Sequence, residues 1–191
     1  EVKNVTVAST NYPVKWLVDY VSGETVENSY LIPADIDPAY WEPTNEELQK
    51  LNACDQIFLN GATYEKWLNT ATLANTFDTS QSLKDRFLTI SDVMEHEHNG
   101  KKHSHDGIDF NIWLNFDLFT QQAEAVEQKL SDLVKEPKVD FKANLKSLIS
   151  EINQINKDIS EATKDQKAFL ASHPVYDYLG QQQGWSIKSF H

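Results

Sequence analysis

The feature that most constrains this chain is an apolar stripe near its C-terminal end. From Phe141 the apolar residues fall at Phe141, Leu145, Leu148, Ile152, Ile155, Ile159 and Ala162. These steps of four and three stay on one side of an α-helix. A helix from Asp140 to about Thr163 would be about 35 Å long, the width of a small domain. Its other face (Lys142, Asn144, Lys146, Glu151, Asn153, Lys157, Glu161) is polar, so the helix is expected to lie across the surface of a domain as a spine. A coiled coil is the competing reading, but the stripe lasts only about three heptads and has no flanking repeat.

Upstream of the spine, short apolar runs alternate with helical patterns. Val2 to Ala8 alternates like a strand. Pro13 opens a helix with Val14, Leu17, Val18 and Val21 inward and Gly23 as its stop. A strand is expected around Val26 to Ile32, then a proline-rich loop from Pro33 to Pro43. Thr44-Asn-Glu-Glu47 is a capping box for a helix to about Ala53, and Asp55 to Leu59 reads as a buried strand ahead of Asn60-Gly61. Helical pieces are expected at Tyr64 to Leu73 and Ser80 to Phe87, with a short strand at Phe87 to Ile90. A helix from about Asp117 to Lys135 carries Phe119, Ala123, Val126, Leu130 and Leu133 inward. Together these give an α/β fold, a parallel β-sheet flanked by helices, in which ligands bind beyond the C-terminal strand ends. After the spine, Ala168 to Ala171 and Trp185 to Phe190 read as strands around a short helix or turn at Val175 to Gly180. Those elements are too few to bury a sheet of their own. The expected organisation is therefore an N-terminal lobe over residues 1–138, a backbone helix over 139–165, and the start of an incomplete second lobe over 166–191.

The chain carries a net charge of −12 and a pI near 4.8, a balance that repels phosphate backbones and argues against nucleic-acid binding. Its one cysteine, Cys54, excludes an intrachain disulfide and a cysteine-rich zinc site. No apolar run approaches about 18 residues, so membrane insertion of this chain is not expected. Glu1 leads straight into a strand-like segment, as in a processed mature chain, although a cytoplasmic protein trimmed of its Met would look the same.

The chemistry on offer is imidazole. His96, His98, His103 and His105 lie within ten residues, interleaved with Glu95, Glu97 and Asp106. A stretch this polar reads as a loop (95–107) whose composition suits a divalent transition metal. His173 stands in Ala171-Ser-His-Pro174, directly after an expected strand. The chain has no glycine-rich phosphate loop, no Gly-x-Ser-x-Gly elbow and no His-Glu-x-x-His helix, so no enzyme is expected.

Several stretches occur together and in order: Thr10-Asn-Tyr-Pro13, Asp37-Pro38 through Glu42-Pro43-Thr44, Asn60-Gly61-Ala62, the histidine loop, Ile112-Trp-Leu114, Ala143-Asn144-Leu145, and Ser172-His-Pro174 followed by Tyr176 and Tyr178. In this the chain resembles the extracytoplasmic solute-binding proteins of zinc and manganese ABC importers. The resemblance implies two α/β lobes joined by one rigid helix, with Zn2+ or Mn2+ held between them for an ABC permease, outside the cytoplasm, in a periplasmic or extracellular setting. It also implies a metal site that has changed. The position of one ligand histidine holds Ala39, within a loop that offers Asp37, Tyr40, Trp41 and Glu42, and a second holds Asn111. The histidine of Ser-His-Pro is retained as His173. Such changes mark a branch of the family with altered ligands. The resemblance leaves open a cleft that binds another small solute, or a metal buffer or adhesion module on the same fold. If metal binds, His103 and His105 swinging over the cleft are the expected partners of His173.

Overall fold

A computed structural model describes residues 4–90, 96–98, 101–103 and 107–190. Its strands are β1 (Thr6–Ser9), β2 (Glu27–Ser29), β3 (Gln56–Leu59), β4 (Thr76–Asp78), β5 (Thr89–Ile90), β6 (His96–His98), β7 (Lys101–His103), β8 (Gly107–Ile108), β9 (Ala168–Ala171) and β10 (Ser186–Ser189). Its α-helices are α1 (Tyr12–Ser22), α2 (Asn45–Ala53), α3 (Phe116–Leu133), α4 (Phe141–Ala162) and α5 (Asp177–Gln183). The main sheet is wholly parallel, in the order β2-β1-β3-β4. The fold is the expected α/β arrangement.

Local chemistry sets the helix ends. Asn11 caps α1 by accepting from Val14 N at 2.9 Å, and Gly23 ends it in a positive-φ conformation (+54°) that a side chain adopts poorly. The Thr44 box forms as expected: Glu47 N donates to the Thr44 hydroxyl, and Thr44 N donates to the Glu47 carboxylate. Asp140 caps α4 through Lys142 N and Ala143 N, so the spine begins where its periodicity predicts.

The core has two layers. On one face of the sheet Val7 and Phe58 meet Val14, Leu17, Val18 and Val21 of α1, Ala123, Val126 and Leu130 of α3, and Phe141, Leu148 and Ile152 of α4. On the other face Ala8, Ile57 and Leu59 pack with Trp41, Leu51, Trp67 and Leu73. Each fully buried aliphatic side chain contributes about 1.5–3 kcal/mol. A third cluster holds Ala62, Leu83, Ile112, Leu118 and Tyr178. It joins the C-terminal segment to the main body.

Several boundaries differ from the periodic reading, for identifiable reasons. Of the strand expected from Val2 to Ala8, the first two residues lie outside the described residues; the strand described is Thr6–Ser9, the stretch that β2 and β3 pair with. The strand expected over Val26 to Ile32 is only Glu27–Ser29, at an edge where one neighbour holds it. The segments expected as helices at 64–73 and 80–87 are 3-10 turns, Lys66–Asn69 and Gln81–Arg86, as suits short connectors. Between them lies β4, whose single apolar residue, Phe77, gave no periodicity to read. On α4 the stripe is buried only as far as Ile152. Ile155 is 47% exposed and lies outside the cluster that α1 and α3 form with α4.

Candidate functional site: the strand-end cleft

The C-terminal ends of β1 and β3 meet at one buried acid. Glu65 accepts from Thr10 Oγ1 (2.6 Å), Asn60 N (2.7 Å) and Gly61 N (3.1 Å). Burial pushes its carboxyl up to about 7, against the pull of those donors. The turn that carries it is strained: Gly61, Ala62 and Thr63 have φ of +74°, +50° and +64°. A Cβ on Gly61 would lie 2.0 Å from Asp78 Oδ1, so only glycine fits. A hollow of about 370 Å³ opens beside this turn, between Glu65, Asp78, Lys84 and Ile108.

The same turn carries Tyr64, which is buried. Its ring stands edge-on to Phe110 (5.1 Å) and Trp113 (6.0 Å), and those two rings stack on each other at 6.4 Å. Burial, and then the nearby Tyr30, Glu65 and Asp37, raise the Tyr64 phenol well above its ordinary value. Asp37 also raises Tyr30, after burial. Tyr64, Phe110 and Trp113 thus form one aromatic floor. Asp37 itself caps the turn Pro38–Tyr40 by accepting from Ala39 N at 3.0 Å.

Asn111 is half-buried and tied to Asp109. Both its backbone N–H (2.9 Å) and its side-chain Nδ2 (2.8 Å) donate to Asp109 Oδ1. Asp109 is 2% exposed, its N–H donates to Leu88 O at 2.8 Å, and its Oδ2 is buried with no hydrogen-bond partner. Burial raises its carboxyl, against the pull of the Asn111 donors. Sequence reasoning missed both Asp109 and Glu65. The only signal was an acid four residues after Asn60-Gly61 and another two before Asn111.

The other site residues divide. Tyr40 is exposed, with Lys66 Nζ 5.2 Å from its ring centre, and Glu42 is exposed. Ala39 is buried. Trp41 is not a cleft residue: it is 3% exposed and packs edge-on to Trp67 at 5.6 Å, because the proline loop folds it inward onto the sheet. His173 follows β9 and is exposed, its Nδ1 3.0 Å from Ser172 Oγ. His96, His98 and His103 lie on an antiparallel ribbon in which His96 is paired with His103 and His98 with Lys101. His105 lies outside the described residues, as does the rest of the expected loop apart from the strands. Among the described residues no three His, Cys, Asp or Glu converge as metal ligands, and no helix is long and apolar enough to cross a membrane.

Comparison with known proteins gives a consistent relationship. The zinc-binding protein AdcA of Streptococcus pyogenes serotype M6 is 26% identical over 206 residues, which is 94% of this chain but 38% of that protein. The chain therefore spans well under half the length of the relatives it matches at that level. The structure of a metal-dependent lipoprotein, YcdH of Bacillus subtilis, superposes with a TM-score of 0.79 at 18% identity, covering 98% of this chain and 67% of that one. The Zn(II)-bound AdcA of Streptococcus pneumoniae gives 0.79 at 22% identity, over 99% of this chain and 40% of that one. The family model described as zinc-uptake complex component A periplasmic, ZnuA, matches residues 7–190, and by that match over almost the whole chain, this protein belongs to the ZnuA family.

Proposed function

We propose that this chain is part of a solute-binding component that captures a divalent transition metal, Zn2+ or Mn2+, outside the cytoplasm and delivers it to an ABC permease. The process is equilibrium capture and release, without catalysis. The observation that carries the reading is family membership over residues 7–190, in a chain whose relative is a zinc-binding protein. The position of His173 just beyond the end of the parallel strand β9 supports it, since that is where α/β sheets bind ligands. In this reading residues 1–138 form the first lobe, 139–165 the backbone helix and 166–191 the beginning of a second lobe. Zn2+ is held by His96, His98, His103 and His105 of the histidine-rich stretch, together with His173 and an acid such as Asp37 or Glu42. Neutral imidazoles suit that ion.

Titration calorimetry of the metal-free chain tests this. Deleting residues 96–105 should abolish most Zn2+ binding, and His173→Ala should reduce it further only while the ribbon is present. High-affinity Zn2+ binding that survives the deletion would mean the metal sits among other groups. The aromatic floor of Tyr64, Phe110 and Trp113 favours one second reading, a small organic solute in the cleft. Zn2+ binding confined to weak association with the ribbon would support that alternative.

A further inference from the structure

Whichever ion or solute the cleft takes, we propose that Glu65 is a proton-operated latch on its wall. With a proton on its carboxyl, Glu65 hydrogen-bonds Thr10 and holds the strained 61–63 turn shut. Without that proton the turn opens toward the neighbouring hollow and draws Tyr64 away from the aromatic floor.

The latch rests on a count of hydrogens. Thr10 Oγ1 lies 2.6 Å from Glu65 Oε1 and 3.2 Å from Phe58 O, yet a hydroxyl has one hydrogen to donate. Phe58 O can only accept. Both contacts are filled together only when the Glu65 carboxyl supplies a second hydrogen, donating to Thr10 Oγ1 while Thr10 donates on to Phe58 O. In that state the carboxyl oxygens still accept from Asn60 N and Gly61 N. As a carboxylate, Glu65 takes the Thr10 hydrogen for itself, and Phe58 O keeps the Thr10 N–H at 3.2 Å. The charge is then shut away from water, since Glu65 is 7% exposed and Thr10 2%. Burial accordingly favours the protonated acid.

The surroundings give that charge one way out. Among the described residues no cation forms an ion pair with Glu65. The charged groups about it are Lys66, next in the chain, Asp78 of β4 and Lys84 of the Gln81–Arg86 turn. Asp78 Oδ1 is already engaged by Ser80 N and Oγ. Tyr64 stays a neutral phenol, held so by burial and then by Tyr30, Glu65 and Asp37. Glu65, Lys84 and all of Gly61-Ala62-Thr63 line the hollow of about 370 Å³. A turn that moves into it therefore brings the carboxylate to water and toward the Lys84 ammonium. Strain favours that movement: Ala62 and Thr63 hold φ of +50° and +64°, a region costly for any residue with a Cβ and most so for a β-branched one. Tyr64 follows directly in the chain, with its ring edge-on to Phe110 and Trp113, so opening the turn reshapes the floor.

Trp113, 6.0 Å from the Tyr64 ring, reports the movement. Its emission is isolated as the difference between the full chain and Trp113→Phe, with circular dichroism recorded alongside as the pH is raised. Expected is a change in Trp113 emission as pH rises toward about 7, with the circular dichroism unchanged. Glu65→Gln, whose amide donates to Thr10 as the protonated acid does, should abolish the change and keep the low-pH emission. Thr63→Gly relieves the closed turn, and should shift the change to higher pH and shrink it. An emission change that persists in Glu65→Gln, or that comes only with loss of the circular dichroism, overturns the inference. Should Glu65→Gln fail to fold, Thr63→Gly decides: a response identical to that of the unaltered chain overturns it.

Discussion

β1 and β3 pair in parallel with almost every residue shut away from water, while β9 and β10 pair in parallel with every second residue exposed. The first pair is covered on both faces, by α1, α3 and α4 on one side and by α2 with the proline loop on the other. The second pair has one partial cover. Phe169 packs against Trp185 at 4.5 Å, but Leu170 (63% exposed) and Phe190 (71%) face outward. The contrast runs along α4 as well. Its N-terminal part buries Phe141, Leu148 and Ile152, and its C-terminal part meets α5 through polar contacts: Ser160 Oγ to Gln183 Oε1 (2.6 Å) and Gln183 Nε2 to Asn156 Oδ1 (2.5 Å). Parallel pairing is thus available to short strands anywhere in the chain. Stability comes from the layers that cover them.

The sharpest way to break this contrast is to cut an aromatic from each region. Phe58→Ala should cost about 3–5 kcal/mol in denaturant unfolding, as full loss of a buried ring does, and Phe169→Ala distinctly less. Equal losses would mean the β9–β10 ribbon is as well supported as the main sheet. Next in size is a pH effect confined to the main body. The Glu65 carboxyl binds a proton more readily in the folded chain, at about 7 against an ordinary 4.5. Its contribution to stability is therefore full below about pH 4.5 and lost as pH rises through 7. The difference amounts to about 3 kcal/mol. Stability should fall from pH 5 to pH 8, and Glu65→Gln should flatten that slope. A slope unchanged in the variant would assign the titration elsewhere.

Tyr178→Phe should cost about 1 kcal/mol, since Leu88 N loses the hydroxyl oxygen that accepts from it at 2.9 Å. Amide exchange should quicken in residues 168–190 before it quickens in β1 or β3, and uniform quickening would dissolve the distinction between the regions. The smallest effect is expected from Leu170→Thr, within about 0.5 kcal/mol, because the side chain already faces water. A larger loss would show that something covers Leu170 in solution.

The features legible in the sequence were those that repeat or that close locally. The Thr44 capping box, the α1 face and the start of α4 each depend on residues three or four apart, and each formed as read. The apolar stripe also marked α4 beyond Ile152, yet periodicity reports which face is apolar, not what lies against it. Leu118 and Gln122 of α3 escaped because their burial depends on distant partners. Gln122 Nε2 donates to Thr79 Oγ1 at 2.8 Å, and Thr79 Oγ1 donates on to Leu59 O. The site was less legible still. The expected cleft residue Trp41 went into the core, while Glu65 and Asp109 accept from backbone N–H groups two to five residues away and are tied to distant partners, Thr10 for Glu65 and Leu88 for Asp109. No spacing rule announces such contacts.

Tyr178 has a consequence for the order in which the chain assembles. Its ring is wholly buried among Ile112, Leu118 and Leu83, and its hydroxyl meets a backbone amide 90 residues away. Closing a loop of that length is entropically unfavourable until both ends have surfaces ready to receive each other. The socket must therefore exist first, with the 80–88 turn, the 112–114 turn and the start of α3 already docked. Residues 168–190 are then expected to dock after that socket has formed, and amide exchange faster there than in β1 and β3 would show it.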